Sequence, residues 1–356
     1  MRDRRGRRFR ARRLTALAAA GGLAAGLAIE RRHLRRVAGD TDYARLSVPL
    51  GGLQRTVRSA DGTRLHARIF GPDGAPTLVL AHGWTEELRL WSDVITDLSA
   101  RGLRLVAYDL RGHGDSGRAS DGDYSLRRFG EDVEAILAAC VAPGDPATVA
   151  GHSLGAMSIA AWAQHHDVRR RAGAVALVNA GLGDLISGHL LFGGAARWLH
   201  QPAAGRLLLG SRAPAPRVSS PLVQAALRYG AFGPAATIGQ VAFYERMLIA
   251  CPADVRAACG VAMSNMDLHD AVARLTVPTL VIAGDCDRLT PPAHARRIVA
   301  TLPQPAGLLV LPDTGHMSPL ERPTECSDAL YELVAQSSRT QRIPRSHAGT
   351  PPALAE

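Results

Sequence analysis

The sequence predicts an α/β protein with a mostly parallel central sheet and helices on both faces of that sheet. Short apolar runs of strand length alternate with helical stretches such as 125–140, which is the pattern of a doubly wound sheet. The alternation stops after the sixth strand, where residues 182–266 are rich in Leu, Ala and Gly and have helical periodicity without a clear strand. We therefore expect a helical cap inserted into the sheet domain.

The predicted sheet begins with a hairpin. Residues 55–70 form two alternating segments around an Asp61-Gly62 turn. Parallel strands are then predicted at 77–81, 103–108, 147–150, 174–179, 279–283 and 307–311. These elements divide the chain into a basic and apolar N-terminal segment over 1–36, a linker over 37–54, the first part of the core over 55–181, the cap over 182–266, the second part of the core over 267–336 and a polar tail over 337–356, for which we expect disorder.

One serine lies in a turn between a predicted strand and a predicted helix. The apolar run 147–150 leads into a turn with Gly151, Ser153 and Gly155, and a helix-like stretch over 156–164 follows. A G-x-S-x-G turn in this context presents its serine on a sharp bend. Glycines flank the serine because side chains there would collide with the strand and the helix. The segment predicts Ser153 as a nucleophile, provided that a base takes the proton of its hydroxyl.

Candidates for that base, and for an acid that orients it, follow in two later loops. The loop after the predicted strand 279–283 contains Asp285 and Asp287, and the loop after 307–311 contains His316. Loops at the carboxyl ends of parallel strands meet at one edge of the sheet. The chain order serine, aspartate, histidine is therefore consistent with a nucleophile, an acid and a base that converge in the fold. Either aspartate could hold the histidine, and the other would then bond backbone N–H groups of its loop.

Two further segments complete a resemblance to the α/β-hydrolase family. Residues 78–84 resemble the strand and H-G-x turn of that family, and residues 108–116 resemble its D-x-R-G-x-G-x-S segment. The resemblance covers roughly residues 57–335 and implies the α/β-hydrolase fold. One departure is Thr85-Glu86-Glu87, where many relatives carry a proline, and it alters the expected pocket wall near Glu86.

The resemblance also implies roles for individual residues. It assigns Ser153 as the nucleophile, His316 as the general base and acid, and Asp287 as the partner of the histidine. It implies an oxyanion hole made by the backbone N–H groups of Trp84 and Leu154. The residues that it implies for substrate binding are His82, Gly83, Trp84 and Leu154.

We expect neither a cofactor nor a metal ion. Residues 165–167, two histidines and an aspartate, end a predicted surface helix and have no further ligand at a suitable spacing. Residues 112–114 lack the third glycine of a dinucleotide-binding loop. The five cysteines form no C-x-x-C pair and are interpreted as ordinary thiols. His82, His113 and His152 adjoin glycines in tight turns, so we expect them to orient neighbouring groups rather than to transfer protons.

The resemblance implies a serine hydrolase that cleaves carboxylic esters through an acyl-enzyme on Ser153. Apolar cap residues such as Leu190, Leu191 and Phe192 favour an apolar or lipid-like acyl substrate. The same fold and triad serve thioesterases, lactonases, acyltransferases and cofactor-free haloperoxidases, which are alternatives. A membrane-tethered binding protein without catalysis is the alternative of another class.

The net charge of +10 is confined to the N-terminal segment. Residues 1–36 hold 12 arginines and two acidic residues, so the rest of the chain balances to zero. This distribution argues against a basic nucleic-acid-binding surface on the body of the protein. The arginines bracket the apolar run 14–29, which predicts association with a membrane.

An uncleaved anchor is the favoured interpretation of residues 14–29. A helix of this length reaches about 24 Å, against a hydrocarbon core of about 30 Å. A surface-lying or merely disordered basic arm and a cleaved or twin-arginine signal are the alternatives, and they would leave the protein cytoplasmic or secreted. If the segment spans, the larger arginine count on its amino side places the enzyme domain outside the cytoplasm.

Overall fold

A single eight-stranded sheet forms the centre of the computed structural model, which describes residues 28–185, 209–213 and 219–342 together with Gly26 and Leu207. The strands are β1 (Leu53–Arg58), β2 (Arg64–Phe70), β3 (Thr77–Ala81), β4 (Arg104–Tyr108), β5 (Ala147–His152), β6 (Ala172–Val178), β7 (Thr279–Gly284) and β8 (Pro305–Leu311). Their order in the sheet is β1-β2-β4-β3-β5-β6-β7-β8. The pairs β1/β2 and β2/β4 are antiparallel, and the other neighbours are parallel. The predicted mostly parallel α/β-hydrolase fold is confirmed.

The inner strands follow from their composition. β3 and β5 bury every residue, and Val, Leu and Ala occupy most of their positions because both faces of the sheet are covered. The edge hairpin turns at the predicted Asp61-Gly62, where Gly62 has a φ of 85° and the Asp61 carboxylate accepts the N–H of Thr63. The sequence pattern therefore placed each strand of the sheet close to its observed bounds.

Helices cover both faces of the sheet. The described helices are α1 (28–38), α2 (Thr41–Leu46), α3 (Ser92–Ala100), α4 (Leu126–Cys140), α5 (Leu154–His165), α6 (Pro221–Ala231), α7 (Ile238–Ala250), α8 (Ala253–Ser264), α9 (His269–Val272), α10 (Pro292–Thr301), α11 (Ser318–Glu321) and α12 (Pro323–Arg342). On one face, α4, α5 and α10 contribute buried apolar side chains such as Phe129 and Ile159. On the other, α3 and α12 contribute Ile95 and Leu330. The carboxyl ends of β3, β5, β6, β7 and β8 therefore open at one edge between two helical layers.

The segment predicted as a linker over 37–54 needs correction, because it contains α2. Asp40 caps this helix by accepting the N–H groups of Asp42 and Tyr43. Leu46 is fully buried, and α2 packs against α7. A helix of six residues is too short to show apolar periodicity, so its N-terminal capping residue Asp40 was the one signal of this helix in the sequence.

The described part of the predicted cap over 182–266 is largely helical. It includes α6, α7 and α8, and α7 begins with a capping box formed by Thr237 and Gln240. The apolar residues Leu190, Leu191 and Phe192 lie outside the described residues. Helical residues in the described part of the cap therefore include 207, 209 and the three helices between 221 and 264.

The predicted disordered tail over 337–356 also needs correction at its start. α12 continues to Arg342, Ser337 is buried, and Ser338 donates a hydrogen bond to the carbonyl of Val334. Polar composition misled the prediction here, since one side of this last helical stretch packs on the body. Residues 343–356 lie outside the described residues.

The predicted membrane segment over 14–29 lies outside the described residues, apart from Gly26, Ala28 and Ile29. Among the described residues no single helix combines the length and apolarity needed to cross a bilayer. In the described part of the chain, one pair of helices, α7 and α8, meets those two criteria together, and the pair is bent by 100° at the break between them.

A buried ion cluster fixes the D-x-R-G segment under the edge hairpin. Arg111 is fully buried, and its Nε and Nη2 each lie 2.7 Å from a carboxylate oxygen of Asp132 on α4. Its Nη1 lies 3.0 Å from Asp61 Oδ2 in the hairpin turn and 3.1 Å from the carbonyl of Asp123. The guanidinium thus satisfies two buried carboxylates from two separate elements.

Replacing Arg111 with leucine should lower the free energy of unfolding by about 3–5 kcal/mol, because the carboxylates of Asp132 and Asp61 would stay buried without their partner. Urea unfolding followed by circular dichroism measures this loss. The matched change Arg127→Leu removes an exposed partner of Glu131 and should cost about 0.5 kcal/mol or less. Equal losses in the two variants would contradict the role assigned to Arg111.

Candidate active site

Ser153 lies at the bend between β5 and α5, in a backbone conformation that few residues with side chains adopt. Its φ is 48° and its ψ is −112°. A Cβ on Gly151 would lie 2.5 Å from the backbone of Gly155, and one on Gly155 would lie 2.5 Å from the carbonyl oxygen of Ala81. Both glycines are therefore required by close backbone approach, and the strained turn holds the serine at the carboxyl edge of the sheet.

His316 and Asp287 form a buried pair at the same edge. His316 Nδ1 lies 2.8 Å from Asp287 Oδ2. Asp285 instead accepts the backbone N–H of Thr314 at 3.2 Å, so it holds the loop. Burial by itself would raise the pKa of Asp287, but the neighbouring charge and hydrogen bond of His316, together with Thr290, outweigh it and lower that pKa. Of the two aspartates that the sequence offered, the structure brings Asp287 to the histidine.

Two residues that the sequence analysis did not single out surround Asp287. Asn179 Nδ2 donates to Asp287 Oδ2 at 3.1 Å, and Thr290 Oγ1 lies 2.8 Å from the same oxygen. The backbone N–H groups of Leu289 and Thr290 donate to Oδ1. Asn179 ends the predicted strand 174–179, and Thr290 lies in the loop that carries Asp287. The sequence therefore indicated where these residues lie in the fold, but not which groups they bond. Together they orient the carboxylate toward His316.

His152, the residue before Ser153, contacts His316. The rings of His152 and His316 lie with centroids 5.0 Å apart, and Ser153 directly follows His152. Within the described part of the chain, no hydrogen bond joins Ser153 Oγ to His316 Nε2. Such bonds are often long in free hydrolases and shorten when substrate binds. The contact between His152 and His316 therefore places Ser153, the next residue, at the same edge as the paired Asp287 and His316.

Two backbone N–H groups at this edge are candidates for binding an oxyanion. Leu154 begins α5, so its N–H has no intrahelical acceptor, and the positive end of the helix dipole lies there. Trp84 follows the H-G turn after β3. In the described part of the chain neither N–H donates to a protein acceptor. Both donors are therefore available to a negatively charged oxygen.

His82 and Gly83, which were predicted to bind substrate, form hydrogen bonds that hold the turn before Trp84. His82 is fully buried, its Nε2 accepts the N–H of Leu110, and its Nδ1 donates to the carbonyl of Gly83 at 2.8 Å. Burial lowers the pKa of His82 and keeps the ring neutral. Because the C=O and N–H of a trans peptide point in opposite directions, His82 aims the N–H of Trp84 away from itself. The ring nitrogens of His82 and the N–H of Gly83 therefore have partners within the protein, and a role of these two residues in substrate binding stays a prediction.

The cap also forms hydrogen bonds to the turn that carries Trp84. Thr85 has a φ of 63°, and its Oγ1 lies 2.6 Å from the carbonyl of Trp84 and 3.2 Å from the hydroxyl of Tyr244 on α7. The indole N–H of Trp84 donates to the carbonyl of Arg256 on α8.

His113 accepts the N–H of Thr85, and burial together with His82 lowers the pKa of His113 to about 4. His113 thus orients a neighbouring group and carries no charge at neutral pH.

One group of possible metal ligands lies in the described part of the chain. His66, Asp109 and Asp115 place one ligand atom each within 4.8 Å of one another. The Asp109 oxygens already accept the backbone N–H groups of Leu88 and Asp115, and His66 Nδ1 lies 2.9 Å from Oδ2. Hydrogen bonds therefore account for the approach of these three side chains.

The fold agrees with comparisons to known proteins. Residues 76–323 match the alpha/beta hydrolase fold family. The chain belongs to this family. It is 27% identical over 295 residues to the bifunctional esterase/perhydrolase DCH of Acinetobacter calcoaceticus, which is 78% of this chain and 98% of that protein. It is 30% identical over 243 residues to the monoacylglycerol lipase of Mycolicibacterium smegmatis, which is 67% of this chain and 80% of that lipase. A solved hydrolase from Pseudomonas aeruginosa PA01 is 28% identical, with a TM-score of 0.63 over 80% of this chain and 99% of that structure.

The two loop aspartates offer a direct test of the pairing. Asp287→Asn should slow the labelling of Ser153 by a fluorophosphonate by about 10³-fold or more, because an amide no longer holds His316 in the tautomer that accepts the serine proton. Asp285→Asn should change the rate by less than about fivefold, since that carboxylate bonds only its own loop and Thr314. Labelling followed by mass spectrometry measures both rates. The reverse order of damage would assign the histidine to Asp285.

Proposed function

We propose that the protein is a serine hydrolase that cleaves carboxylic esters. The observation that carries this proposal is the Asp287–His316 pair on two loops beside the strained Ser153, with the N–H groups of Trp84 and Leu154 available at the same edge. A nucleophile, an oriented base and two oxyanion donors are the parts that acyl transfer needs.

The chemistry follows the positions of these groups. Ser153 Oγ attacks the ester carbonyl carbon while His316 Nε2 takes its proton, and the N–H groups of Trp84 and Leu154 bind the developing oxyanion. His316 then returns the proton to the leaving alcohol, which leaves an acyl group on Ser153. Water attacks this acyl-enzyme with His316 as the base again, releasing the acid and the free serine. Asp287 holds the Nδ1–H of the imidazole throughout.

An apolar or lipid-like acyl group is the proposed substrate. The indole of Trp84 is half-buried and packs against an apolar cluster that includes Val255 of the cap, and the backbone of Phe232, also in the cap, lies against Gly315 beside His316. The relative from Mycolicibacterium smegmatis that is named for monoacylglycerol hydrolysis supports the same class. A second use of the same acyl-enzyme is supported by the relative named as a bifunctional esterase/perhydrolase, in which hydrogen peroxide in place of water would release a peracid.

Ser153→Ala and His316→Ala should each lower the turnover of p-nitrophenyl esters by about 10³-fold or more, because each removes a group that acts in the transition state. Esters of graded chain length should show a kcat/KM that rises from acetate to longer acyl groups. Ser264→Ala changes a partly exposed serine on α8; it is the matched control and should keep full activity. Full activity of Ser153→Ala would show that Ser153 is not the nucleophile. Absence of esterase activity from the unaltered protein, together with failure of a fluorophosphonate to label Ser153, would favour the non-catalytic binding protein instead.

We also propose that the N-terminal segment attaches the protein to a membrane, with residues 14–29 as an anchor and the enzyme domain outside the cytoplasm. α1 continues this apolar run with exposed arginines at 31, 32, 35 and 36. Of the nine large apolar side chains that the described residues expose, six belong to α1 or to the predicted cap: Ile29, Leu34, Leu207, Leu222, Tyr229 and Val261. Because α2 packs against α7, the chain leaves the body beside the cap. These features favour a bilayer on the cap side of the molecule.

The full chain should therefore float with vesicles of phosphatidylcholine and phosphatidylglycerol and stay bound in high salt and carbonate, because apolar burial is not screened by ions. Leu23→Arg interrupts the apolar run and should release the protein under the same conditions. Val310→Arg changes an exposed apolar residue on the edge strand β8 and should leave binding unchanged. Release of the unaltered protein by salt alone would instead support a basic arm held by charge.

A further inference from the structure

Glu86 and His152 form a buried ion pair between the turn that carries Trp84 and the loop that carries His316. Both side chains are almost fully inaccessible, and Glu86 Oε2 lies 3.1 Å from His152 Nδ1. The same carboxylate oxygen accepts the backbone N–H of Gly83. On the other side, His152 Nε2 lies 2.8 Å from the backbone carbonyl of His316. A continuous chain of hydrogen bonds thus runs from the oxyanion turn to the histidine loop.

The partners of His152 determine its protonation state. One ring nitrogen faces a carboxylate and the other faces a carbonyl oxygen, and both of these groups only accept hydrogen bonds. Only the doubly protonated imidazolium donates to both. Burial by itself would lower the pKa of His152, but the charge and hydrogen bond of Glu86 and the carbonyl of His316 outweigh it and raise that pKa. Burial would likewise raise the pKa of Glu86, and His152 reverses this shift.

The pair has no free face for a substrate. A Cβ on Gly83 would lie 2.8 Å from both Glu86 Oε2 and His152 Nδ1, so the turn packs directly on the pair. This contact requires glycine at position 83. The charges are therefore enclosed by the two backbone segments that they join, and they act on the reaction only through those segments.

We infer that Glu86 and His152 are positioning residues that set the distance between the oxyanion donor of Trp84 and the general base His316. This inference rests on the proposed hydrolase function. One end of the pair holds the peptide before Trp84, and the other end holds the main chain of His316 itself. An oxyanion and a proton in transfer exist together only in the transition state, so the pair acts on kcat rather than on substrate binding.

The charged state also distinguishes this pair from a simple buried hydrogen bond. A neutral His152 could donate to Glu86 or to the His316 carbonyl, though not to both, and the bridge would be broken at one end. Glu86→Gln removes the charge that keeps His152 protonated, while the amide keeps the size of the carboxylate. His152→Asn removes the reach to the His316 carbonyl and leaves the Glu86 contact to Gly83.

Steady-state kinetics with p-nitrophenyl acetate test the inference. Glu86→Gln and His152→Asn should each lower kcat by about 10–100-fold with KM changed by less than about twofold, because the lost interaction aligns groups for the transition state. The double variant should be no slower than the slower single variant, since both changes break one bridge. Glu134→Gln is the matched control: it removes the charge from a half-buried pair with Arg171 and should leave kcat unchanged.

The outcomes separate this inference from the proposed function. If a fluorophosphonate does not label Ser153 in the unaltered protein, the hydrolase proposal fails. If it labels normally and the Glu86 and His152 variants lose stability but keep kcat, the pair is only structural and the inference is wrong. A raised KM with unchanged kcat also overturns it.

A spectroscopic measurement decides the case even if both variants fail to fold. Nitrogen NMR of the histidine side chains in the unaltered protein should show one buried imidazolium at neutral pH. The absence of any such imidazolium from the unaltered protein would overturn the inference.

Discussion

The close approach of α5 to the end of β3 is the contact on which the site depends. Gly155 lies against the carbonyl oxygens of Ala81 and His82, so a hydrogen is the largest group that fits there. This approach brings the start of α5, with the N–H of Leu154, next to the turn that carries the N–H of Trp84. A side chain at position 155 would separate the two donors and open the bend at the serine. The strained conformation of Ser153 is thus maintained by the packing of α5 against the end of β3, a strand that comes much earlier in the chain.

The histidine loop is fixed by a second set of contacts that converge on its backbone. Glu321 accepts the N–H groups of Gly315, Met317 and Gly233, and the N–H of His316 donates to the carbonyl of Ala231 at 2.7 Å. Burial raises the pKa of Glu321, and three backbone donors oppose this effect by stabilising its charged form. The two residues that flank His316 in the chain are therefore both held by the carboxylate of Glu321. In a low-dielectric site such fixed groups need no rearrangement when charge moves between Asp287, His316 and the substrate.

The sequence allowed the sheet, the serine turn and the acid loop to be predicted because their signals are local. Apolar runs of strand length and glycines at fixed offsets report on the residues that carry them, so the bend at Ser153 was visible without a structure. The pairing of Glu86 with His152, and of Asn179 with Asp287, joins residues 66 and 108 positions apart. No local pattern encodes which distant side chain meets a buried carboxylate. The partners of His82 and Gly83, which are Leu110 and Glu86, could not be predicted from the sequence for the same reason.

The second half of the cap belongs to the catalytic edge rather than to a separate lid. Ala231 and Gly233 bond the histidine loop, and Tyr244 on α7 lies at hydrogen-bond distance from Thr85 in the oxyanion turn. Movement of this part of the cap would displace the proposed base and the proposed oxyanion donor together. The bond from Trp84 to the carbonyl of Arg256 extends this constraint to α8. The geometry of the proposed triad therefore stays intact only if residues 231–256 remain in place, which makes these helices part of the frame that positions the proposed catalytic residues.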